Sequence, residues 1–337
     1  MSSVERVPDP SRAAAGRGPR IHHDALASRH VIVAPCRAER PDEADLAAGG
    51  GGPAEWCPFC AGNESRTPPD VLRAPADPAQ PWRCRIVANR FPFVAPAEPP
   101  AAGVAEGGRA AHGVHDILIE SASHERSILA LDDDAWREVW ELARRRLAEF
   151  AARGDLAWAT VFKNSGPRAG ASLEHLHSQL VALDFVPPFL TLELAAAAAA
   201  ADPFGALVAT ARAEGRVVAE RGGVVAVVPP AGRQPFETWL MPVERGAFFH
   251  AAPPTHVAAV ADLTRWFVAR LERIAPGADY NWWLHQAPHE PGAARATWHW
   301  HLEMLPRLSQ FAGFELGTGC HVNPLTAAES ARRLRED

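Results

Sequence analysis

The chain has 337 residues, enough for two domains or one duplicated unit, and it can bury a core without a disulfide or a metal. It has 34 Lys and Arg residues and 40 Asp and Glu residues, which gives a net charge of -6. This charge argues against a protein that binds nucleic acid along a basic face. No stretch of about 18 apolar residues occurs, so the sequence predicts no membrane-spanning helix.

The N-terminal segment and the cysteines indicate a compartment. The first twenty residues are polar, contain Pro and Gly and lack the apolar core of a secretory signal, so we expect a flexible tail over residues 1–25. The five cysteines are an odd number, which together with the lack of a signal predicts reduced thiols and a cytoplasmic protein.

The first half of the chain predicts strands joined by one long helix. Alternating or apolar segments predict strands at 28–35, 83–89, 114–120, 157–164 and 175–183. Three aspartates, 132 to 134, precede a helix with one apolar face. That face carries Trp136, Val139, Trp140, Ala143, Leu147 and Phe150.

The second half repeats this order. Strands are predicted at 223–228, 236–241, 280–285 and 297–305, and helices through the poly-Ala segment 195–201 and over 255–274. In both halves the last strand carries the pattern His-x-His. We therefore predict an α+β fold made of a duplicated unit, with a mostly antiparallel sheet and flanking helices, divided into domains at 26–190 and 191–337.

The sequence Cys57-Pro-Phe-Cys60 has the spacing with which two thiolates bind one Zn²⁺. A redox dithiol is the alternative, but that motif normally opens a helix after a strand, whereas Gly and Pro surround this one. An incidental pair is the third interpretation. The ligand type favours the metal site, which needs two further ligands from elsewhere in the chain.

His175 and His177 are two residues apart, so on a strand they lie on the same face, with Gln179 as a third group. Histidine can bind a metal, move a proton or act as a neutral nucleophile at phosphorus, and a Gln amide can hold a phosphoryl oxygen. The alternative is a pair of half-buried surface histidines. The second copy of the pattern and the glycine loop before the first copy favour a functional role.

Two further features are typical of phosphate binding. The loop 164–172 offers backbone N–H groups, Arg168 and a Ser hydroxyl, although many turns are rich in glycine. Arg37 and Arg40 can form a phosphate clamp because guanidinium groups donate in pairs, or they can be ordinary solvated charges.

The second half carries its own histidine cluster. His285, His299 and His301 fall on neighbouring predicted strands, and Glu193 or Glu303 could supply a carboxylate to complete a second metal site. The alternative is a set of core histidines among the many tryptophans.

Several motifs together resemble the galactose-1-phosphate uridylyltransferase family of the histidine-triad superfamily, which has a duplicated fold. The resemblance runs from about residue 28 to the C-terminus. The motifs are CPFCAGN (57–63), ANRFP (88–92), SxxH (121–124), KNSGxxxGAS (163–172), HxHxQ (175–179) and a closing segment with GFELGTG (313–319).

The resemblance implies a ping-pong reaction. His177 would attack the α-phosphorus of UDP-glucose, form a covalent uridylyl-histidine and release glucose 1-phosphate, and galactose 1-phosphate would then take the uridylyl group. Gln179 would hydrogen-bond the transferred phosphoryl group. This is the activity of a UDP-glucose:hexose-1-phosphate uridylyltransferase of galactose metabolism, and such proteins are often homodimers.

The resemblance also implies binding residues. The residues that match positions around the nucleotide and its phosphates are Arg37, Arg40, Asn89, Phe91, Asn164 and Ser172. Those that match the structural zinc site are Cys57, Cys60, His124 and His175. A second metal site of some members, often assigned to iron, matches Glu193, His285, His299 and His301.

Some positions depart from the best-known members of the family. Leu176 replaces the Pro between the two histidines, and Arg90 stands where many uridylyltransferases have Asp. Arg90 bears on which base is preferred, while Leu176 and the GFELGTG segment are closer to a branch of ADP-glucose phosphorylases and adenylyltransferases, in which the same histidine carries adenylyl and phosphate is the acceptor. No second CxxC occurs for a second zinc. The alternative from a different class of protein is a zinc-stabilised module that binds nucleotides without catalysing a reaction.

Overall fold

A computed structural model describes residues 18–24, 26, 29–42, 46, 52–96 and 108–336. In this part of the chain the strands are β1 (Arg20–Asp24), β2 (Arg29–Val33), β3 (Asp70–Ala74), β4 (Cys84–Ala88), β5 (Arg109–Ala110), β6 (Gly113–Ile119), β7 (Trp158–Ser165), β8 (His177–Leu183), β9 (Val217–Arg221), β10 (Val224–Val227), β11 (Thr238–Pro242), β12 (Tyr280–His285) and β13 (His301–Pro306). The α-helices are α1 (Pro53–Trp56), α2 (Asp133–Ala151), α3 (Pro188–Ala198), α4 (Pro203–Ala213), α5 (Pro254–Ile274), α6 (Gly313–Thr318) and α7 (Ala327–Glu336).

Ten strands form one antiparallel sheet in the order β3-β4-β6-β8-β7-β12-β13-β11-β10-β9. Each half of the chain contributes five strands. From the centre of the sheet outward, the order is the fourth, fifth, third, second and first strand of the half, and this order is the same in both halves. The halves meet where β7 pairs with β12, with Asn164 opposite Asn281. The predicted α+β fold with a mostly antiparallel sheet is confirmed.

Helices α2 and α5, one from each half, pack against each other and help form the largest apolar core. Helix α2 begins where the Asp132 carboxylate accepts a hydrogen bond from the Ala135 N–H at 2.7 Å, and all six apolar residues predicted for its inner face are buried. Between the helices the Trp136 indole donates to the Thr264 hydroxyl at 3.0 Å. Truncating one large side chain of this face, such as Phe150, to Ala would cost about 3–5 kcal/mol.

Three further strands form a small separate sheet in the order β2-β1-β5. The predicted tail over residues 1–25 therefore contains a strand at its end, because Ile21 is buried in an apolar cluster with Val94 and Trp158 while β1 pairs with β2. Residues 1–17 and 25 lie outside the described residues.

Two predicted segments differ from the structure. The poly-Ala helix does not run through residue 201, because Asp202 caps a new helix by accepting from the Gly205 N–H at 3.1 Å and Pro203 follows it. The strands predicted at 175–183 and 297–305 begin later, at His177 and His301. The domain limits 26–190 and 191–337 stay a prediction; their boundary falls inside α3.

Among the described residues, no single helix is both long and apolar enough to cross a membrane, and only the bent pair α3 and α4 meets that requirement by length and composition.

Candidate active site and metal-binding groups

A cavity of about 510 Å³ opens beside the start of β8. Six residues singled out from the sequence line it: Arg40, Asn89, Phe91, Ser172, His177 and Gln179. Apolar side chains supply much of the remaining wall, among them Trp56, Pro58, Phe59, Ile117 and Leu173. A cavity with apolar walls and a few convergent polar groups is the form expected of a small-molecule site.

His177 lines this cavity, and one of its two ring nitrogens is held by the main chain. Its Nδ1 lies 2.8 Å from the main-chain oxygen of His175, and because a carbonyl only accepts, Nδ1 carries the proton. No described residue hydrogen-bonds Nε2, whose lone pair is therefore available. Burial, with the charge of Lys163 as a second cause, lowers the pKa of His177 to about 3. At neutral pH the ring is uncharged, which is the form that can attack phosphorus.

Gln179 lies on the same face of β8, and its Oε1 is 2.9 Å from Nε2 of His115. The same nitrogen of His115 is 2.9 Å from Nδ2 of Asn89, whose Oδ1 accepts from the Phe91 N–H at 2.8 Å. His115 was not predicted from the sequence. The signal available there was the polar pair His115 and Asp116 inside a predicted strand, 114–120, that is otherwise mostly apolar.

The two predicted phosphate-binding arginines lie at the rim of this site. Arg40 donates from Nε to Oγ of Ser172 at 2.9 Å, and Nη1 of Arg37 donates to the carbonyl of Phe91 at 3.1 Å. Burial lowers the pKa of Arg40, and the neighbouring Arg37 adds to the effect. Arg40 lines the cavity together with His177 and its charge helps to lower the pKa of His177, whereas Arg37 meets the cavity through Phe91.

The glycine loop 164–172 has one position that only glycine fits. Gly166 has φ of +85°, and a Cβ there would lie 1.9 Å from Oδ1 of Asp279, whose Oδ2 accepts from the Arg168 N–H at 2.6 Å. Asn164 lies outside the 510 Å³ cavity: it lines a neighbouring cavity of about 320 Å³ and accepts from Nδ2 of Asn281 at 2.8 Å. His177 lines both cavities.

A buried ion pair holds the strand that carries His177. The Nζ of Lys163 lies 2.5 Å from a carboxylate oxygen of Glu120 and donates to the main-chain oxygen of His177 at 2.9 Å. Glu120 accepts a second hydrogen bond, from Oγ of Ser178 at 2.6 Å. The sequence analysis also missed this network, although Lys163 is the single lysine of the chain.

The first metal-binding group unites the four residues that the resemblance implied. Cys57, Cys60, His124 and His175 have ligand atoms within 4.8 Å of one another. Nδ1 of His175 lies 3.5 Å from Sγ of Cys57 and 3.6 Å from Sγ of Cys60. Tetrahedral bonds of about 2.3 Å to sulfur and about 2.0 Å to nitrogen would place such atoms about 3.5 Å apart.

The chemistry of these donors fits a cation. His175 donates from Nε2 to the carbonyl of Ser121 at 2.9 Å, which leaves the Nδ1 lone pair directed at the thiols. Burial raises the pKa of Cys57 to about 12 and also raises that of Cys60. These thiols therefore stay protonated unless a bound metal ion displaces the protons.

A second group combines two carboxylates and two histidines: Glu193, His285, His301 and Glu303. Nδ1 of His285 lies 2.9 Å from Oε2 of Glu193, and Nε2 of His301 lies 3.6 Å from Oε1 of Glu303. These four atoms are buried, and although two of them are 2.9 Å apart, none makes a hydrogen bond of acceptable geometry to a described residue. Buried polar atoms that converge in this way fit a bound cation.

His299 is not part of this second group. Its Nδ1 donates to the carbonyl of Pro242 at 2.9 Å, and its Nε2 points toward Asp202 at 3.6 Å. Glu303, weighed from the sequence as a candidate carboxylate, takes the fourth place, because it follows His301 by two residues and shares its face of β13.

Comparison with known proteins gives two family models. One, described as the N-terminal domain of galactose-1-phosphate uridyl transferase, matches residues 105–187. The other, described as a domain of unknown function, DUF4921, matches residues 147–336.

The chain is similar over nearly its whole length to named enzymes. It is 29% identical to the ADP-glucose phosphorylase of Arabidopsis thaliana over 328 residues, which cover 95% of this chain and 93% of the relative. It is 22% identical to a galactose-1-phosphate uridylyltransferase of Thermotoga maritima, with 94% and 98% covered.

Solved structures agree in fold. The crystal structure of an ADP-glucose phosphorylase from Arabidopsis thaliana with bound ADP-glucose has a TM-score of 0.75 at 28% identity and covers 95% of this chain and 99% of that chain. The structure of a uridylyltransferase mutant has a TM-score of 0.76 at 23% identity, with 94% and 97% covered.

The fold and these relatives define an enzyme of the nucleotidyl-transfer class. The chain belongs to the galactose-1-phosphate uridylyltransferase family, of which ADP-glucose phosphorylase is also a member.

Proposed function

We propose that this protein is an ADP-glucose phosphorylase that acts through a covalent adenylyl group on His177. The observation that carries the proposal is the uncharged imidazole of His177 at the cavity, whose Nδ1 is held by the His175 carbonyl while no described residue hydrogen-bonds its Nε2. The ADP-glucose phosphorylase relative supports the choice of base and acceptor over the uridylyl transfer that the sequence analysis put first.

The reaction has two displacements. Nε2 of His177 attacks the α-phosphorus of ADP-glucose, an N–P bond forms, and the P–O bond to the β-phosphate breaks to release glucose 1-phosphate. An oxygen of inorganic phosphate then attacks the same phosphorus, the N–P bond breaks, and ADP leaves. The covalent intermediate divides one difficult transfer into two similar steps.

Other residues of the site would position the nucleotide. Gln179 would donate to an oxygen of the transferred phosphoryl group, and Arg37 and Arg40 would balance the charge of the diphosphate. The apolar wall with Phe59 and Phe91 would contact the base. Asn89 and Ser172 line the same cavity and complete the set of contacts proposed for the nucleotide, which Asn164 would reach only from the neighbouring cavity that His177 shares.

We also propose that the Cys57, Cys60, His124 and His175 group binds Zn²⁺, and that the Glu193, His285, His301 and Glu303 group binds iron or zinc. Two thiolates with two imidazoles are typical of structural zinc, whereas a mixed carboxylate and imidazole group suits several metals. None of the five cysteines forms a disulfide, which supports our placement of the enzyme in the cytoplasm. A homodimer remains a prediction.

The experiment is to incubate the protein with ADP-glucose without an acceptor and measure its intact mass. We expect an increase by one adenylyl group in the wild type and none in His177→Ala. The control His289→Gln changes a histidine outside the cavity and should be labelled normally. Adding phosphate should remove the label as ADP.

Uridylyl transfer is the second candidate, supported by the family model over residues 105–187. It would give a uridylyl adduct with UDP-glucose that galactose 1-phosphate, rather than phosphate, removes. A wild-type protein that binds nucleotide sugars but takes no label from either donor would contradict both enzymes and favour a binding module.

A further inference from the structure

His115 lies behind the side chains that line the cavity. It is on β6, only 3% exposed, and it pairs across the sheet with Val181 of β8. Val181 and Gln179 share one face of β8, so His115 and Gln179 are diagonal neighbours on that face. His115 does not line the cavity among the described residues, so its ring reaches a ligand only through Gln179 or Asn89.

The ring of His115 has a fixed donor on one side. The backbone N–H of Phe93 lies 3.3 Å from Nδ1, and the Phe93 ring packs against the imidazole with centroids 4.2 Å apart. A backbone N–H can only donate, so Nδ1 accepts. Burial lowers the pKa of His115 to about 4, so the ring is neutral at pH 7 and its single proton is on Nε2.

This tautomer decides which way the Gln179 amide points. The Nε2–H of His115 donates to Oε1 of Gln179 at 2.9 Å, and the amide nitrogen of Gln179 is then the end left for the cavity beside His177. With the proton on Nε2, this nitrogen has no lone pair for Asn89, whose Nδ2 lies 2.9 Å from it and whose oxygen accepts from the Phe91 N–H.

We propose that His115 is a positioning residue that holds the Gln179 amide with its N–H₂ group toward the transferred phosphoryl group. The inference rests on the function proposed above. Without His115 the amide of Gln179 is free to turn and to bring its carbonyl oxygen against a phosphoryl oxygen, which replaces a donor by a repulsive acceptor.

The test compares three variants in the rate of adenylyl-His177 formation, measured in single turnovers. His115→Met has a similar volume and no donor, and we expect a rate at least about tenfold lower, the size of one lost hydrogen bond to a charged group. His115→Gln places an amide nitrogen near the position of Nε2 and should recover most of the rate.

The double variant separates positioning from a general structural effect. In a Gln179→Ala background, His115→Met should change the rate by less than about twofold, because residues that act through one contact are not additive. If His115→Met labels at the wild-type rate, or if the two changes multiply, the inference is wrong.

A second measurement does not depend on any variant folding. Nitrogen chemical shifts of the wild-type protein should assign the proton of His115 to Nε2, and finding it on Nδ1 would overturn the inference. Failure of the proposed function looks different, because the wild type would then take no label at all.

Discussion

His175 connects the first candidate metal-binding group to His177, the proposed nucleophile. Its ring lies among the thiols, while its main-chain oxygen accepts the hydrogen bond that fixes the tautomer of His177. A metal ion on this ring would hold the carbonyl in place, so its loss would affect the orientation of His177 without any direct contact.

We therefore predict that Cys60→Ala removes one equivalent of zinc and lowers the rate of His177 labelling about tenfold or more, as is usual when the support of a ligand is lost. The matched control is Cys84→Ala, which also truncates a buried cysteine but lies outside both metal-binding groups. Elemental analysis and single-turnover labelling measure the two effects. A normal labelling rate in zinc-free Cys60→Ala protein would contradict the link.

At the residue scale, the sequence predicted those side chains that belong to a spaced pattern. The pairs Cys57 with Cys60 and His175 with His177 can be recognised in the sequence, because their chemistry needs partners at fixed intervals. His115 and Glu120 could not be predicted in the same way, since each is a single polar residue whose partner is on another strand. His299 was placed in the second metal group, whereas the structure puts Glu303 there.

Three adjacent strands are joined behind His177 by the Lys163 network. Glu120 directly follows β6, Lys163 is on β7, and Ser178 and the His177 carbonyl belong to β8. Both charged side chains are 1% exposed. A buried pair of this kind costs desolvation, and removing one partner leaves a buried charge without compensation.

We predict that Lys163→Met lowers the free energy of unfolding by about 3–5 kcal/mol, and that adding Glu120→Gln recovers part of the loss. Urea denaturation measures both. The control is Arg83→Gln, which breaks the exposed pair with Glu138 and should cost about 1 kcal/mol or less. Equal costs for Lys163→Met and Arg83→Gln would show that the buried network does not stabilise these strands.

At the element scale, helix α2 was predictable because its cap and its apolar face are local. The starts of β8 and β13 were not. The residues between the two histidines bond to loops instead of strands, with Leu176 N–H donating to Glu125 and Trp300 N–H to Gly246. Such contacts join segments distant in sequence, and no local pattern encodes them.

The whole molecule contains several histidines that burial keeps neutral. His250 is one that lies outside the cavity and both candidate metal-binding groups, and burial, with His289 as a second cause, lowers its pKa to about 4. In the unfolded chain a histidine has a pKa of about 6.5. Between these values the unfolded state binds a proton that the folded state does not, so stability falls as the pH decreases.

We predict that the free energy of unfolding decreases between about pH 6.5 and pH 4, and that His250→Gln makes this decrease less steep. Urea denaturation at a series of pH values measures the slope. His22→Gln, a change in the small N-terminal sheet, is the control and should leave the slope close to that of the wild type. An unchanged slope in His250→Gln would mean that the pKa of this histidine is the same in the folded and the unfolded state.

The duplication was predictable from the repeated order of elements, but the joining of both halves into a single sheet was not. That joining depends on β7 and β12, which are more than a hundred residues apart, and on Asn281, whose amide donates to Asn164 and to the carbonyl of Ala169. Pairing over such a distance is decided by the assembled core.

The matching strand order has an evolutionary consequence. Consider an ancestral protein of half this length that formed a dimer by pairing the strands equivalent to β7. That dimer would already have had ten strands in one sheet in this order. His301 stands where His177 does, and its Nδ1 also donates to the carbonyl two residues before it. Fusion of the two genes would then have allowed one copy to keep an amide, Gln179, after its histidines while the other gained a carboxylate, Glu303, and with it the second candidate metal-binding group.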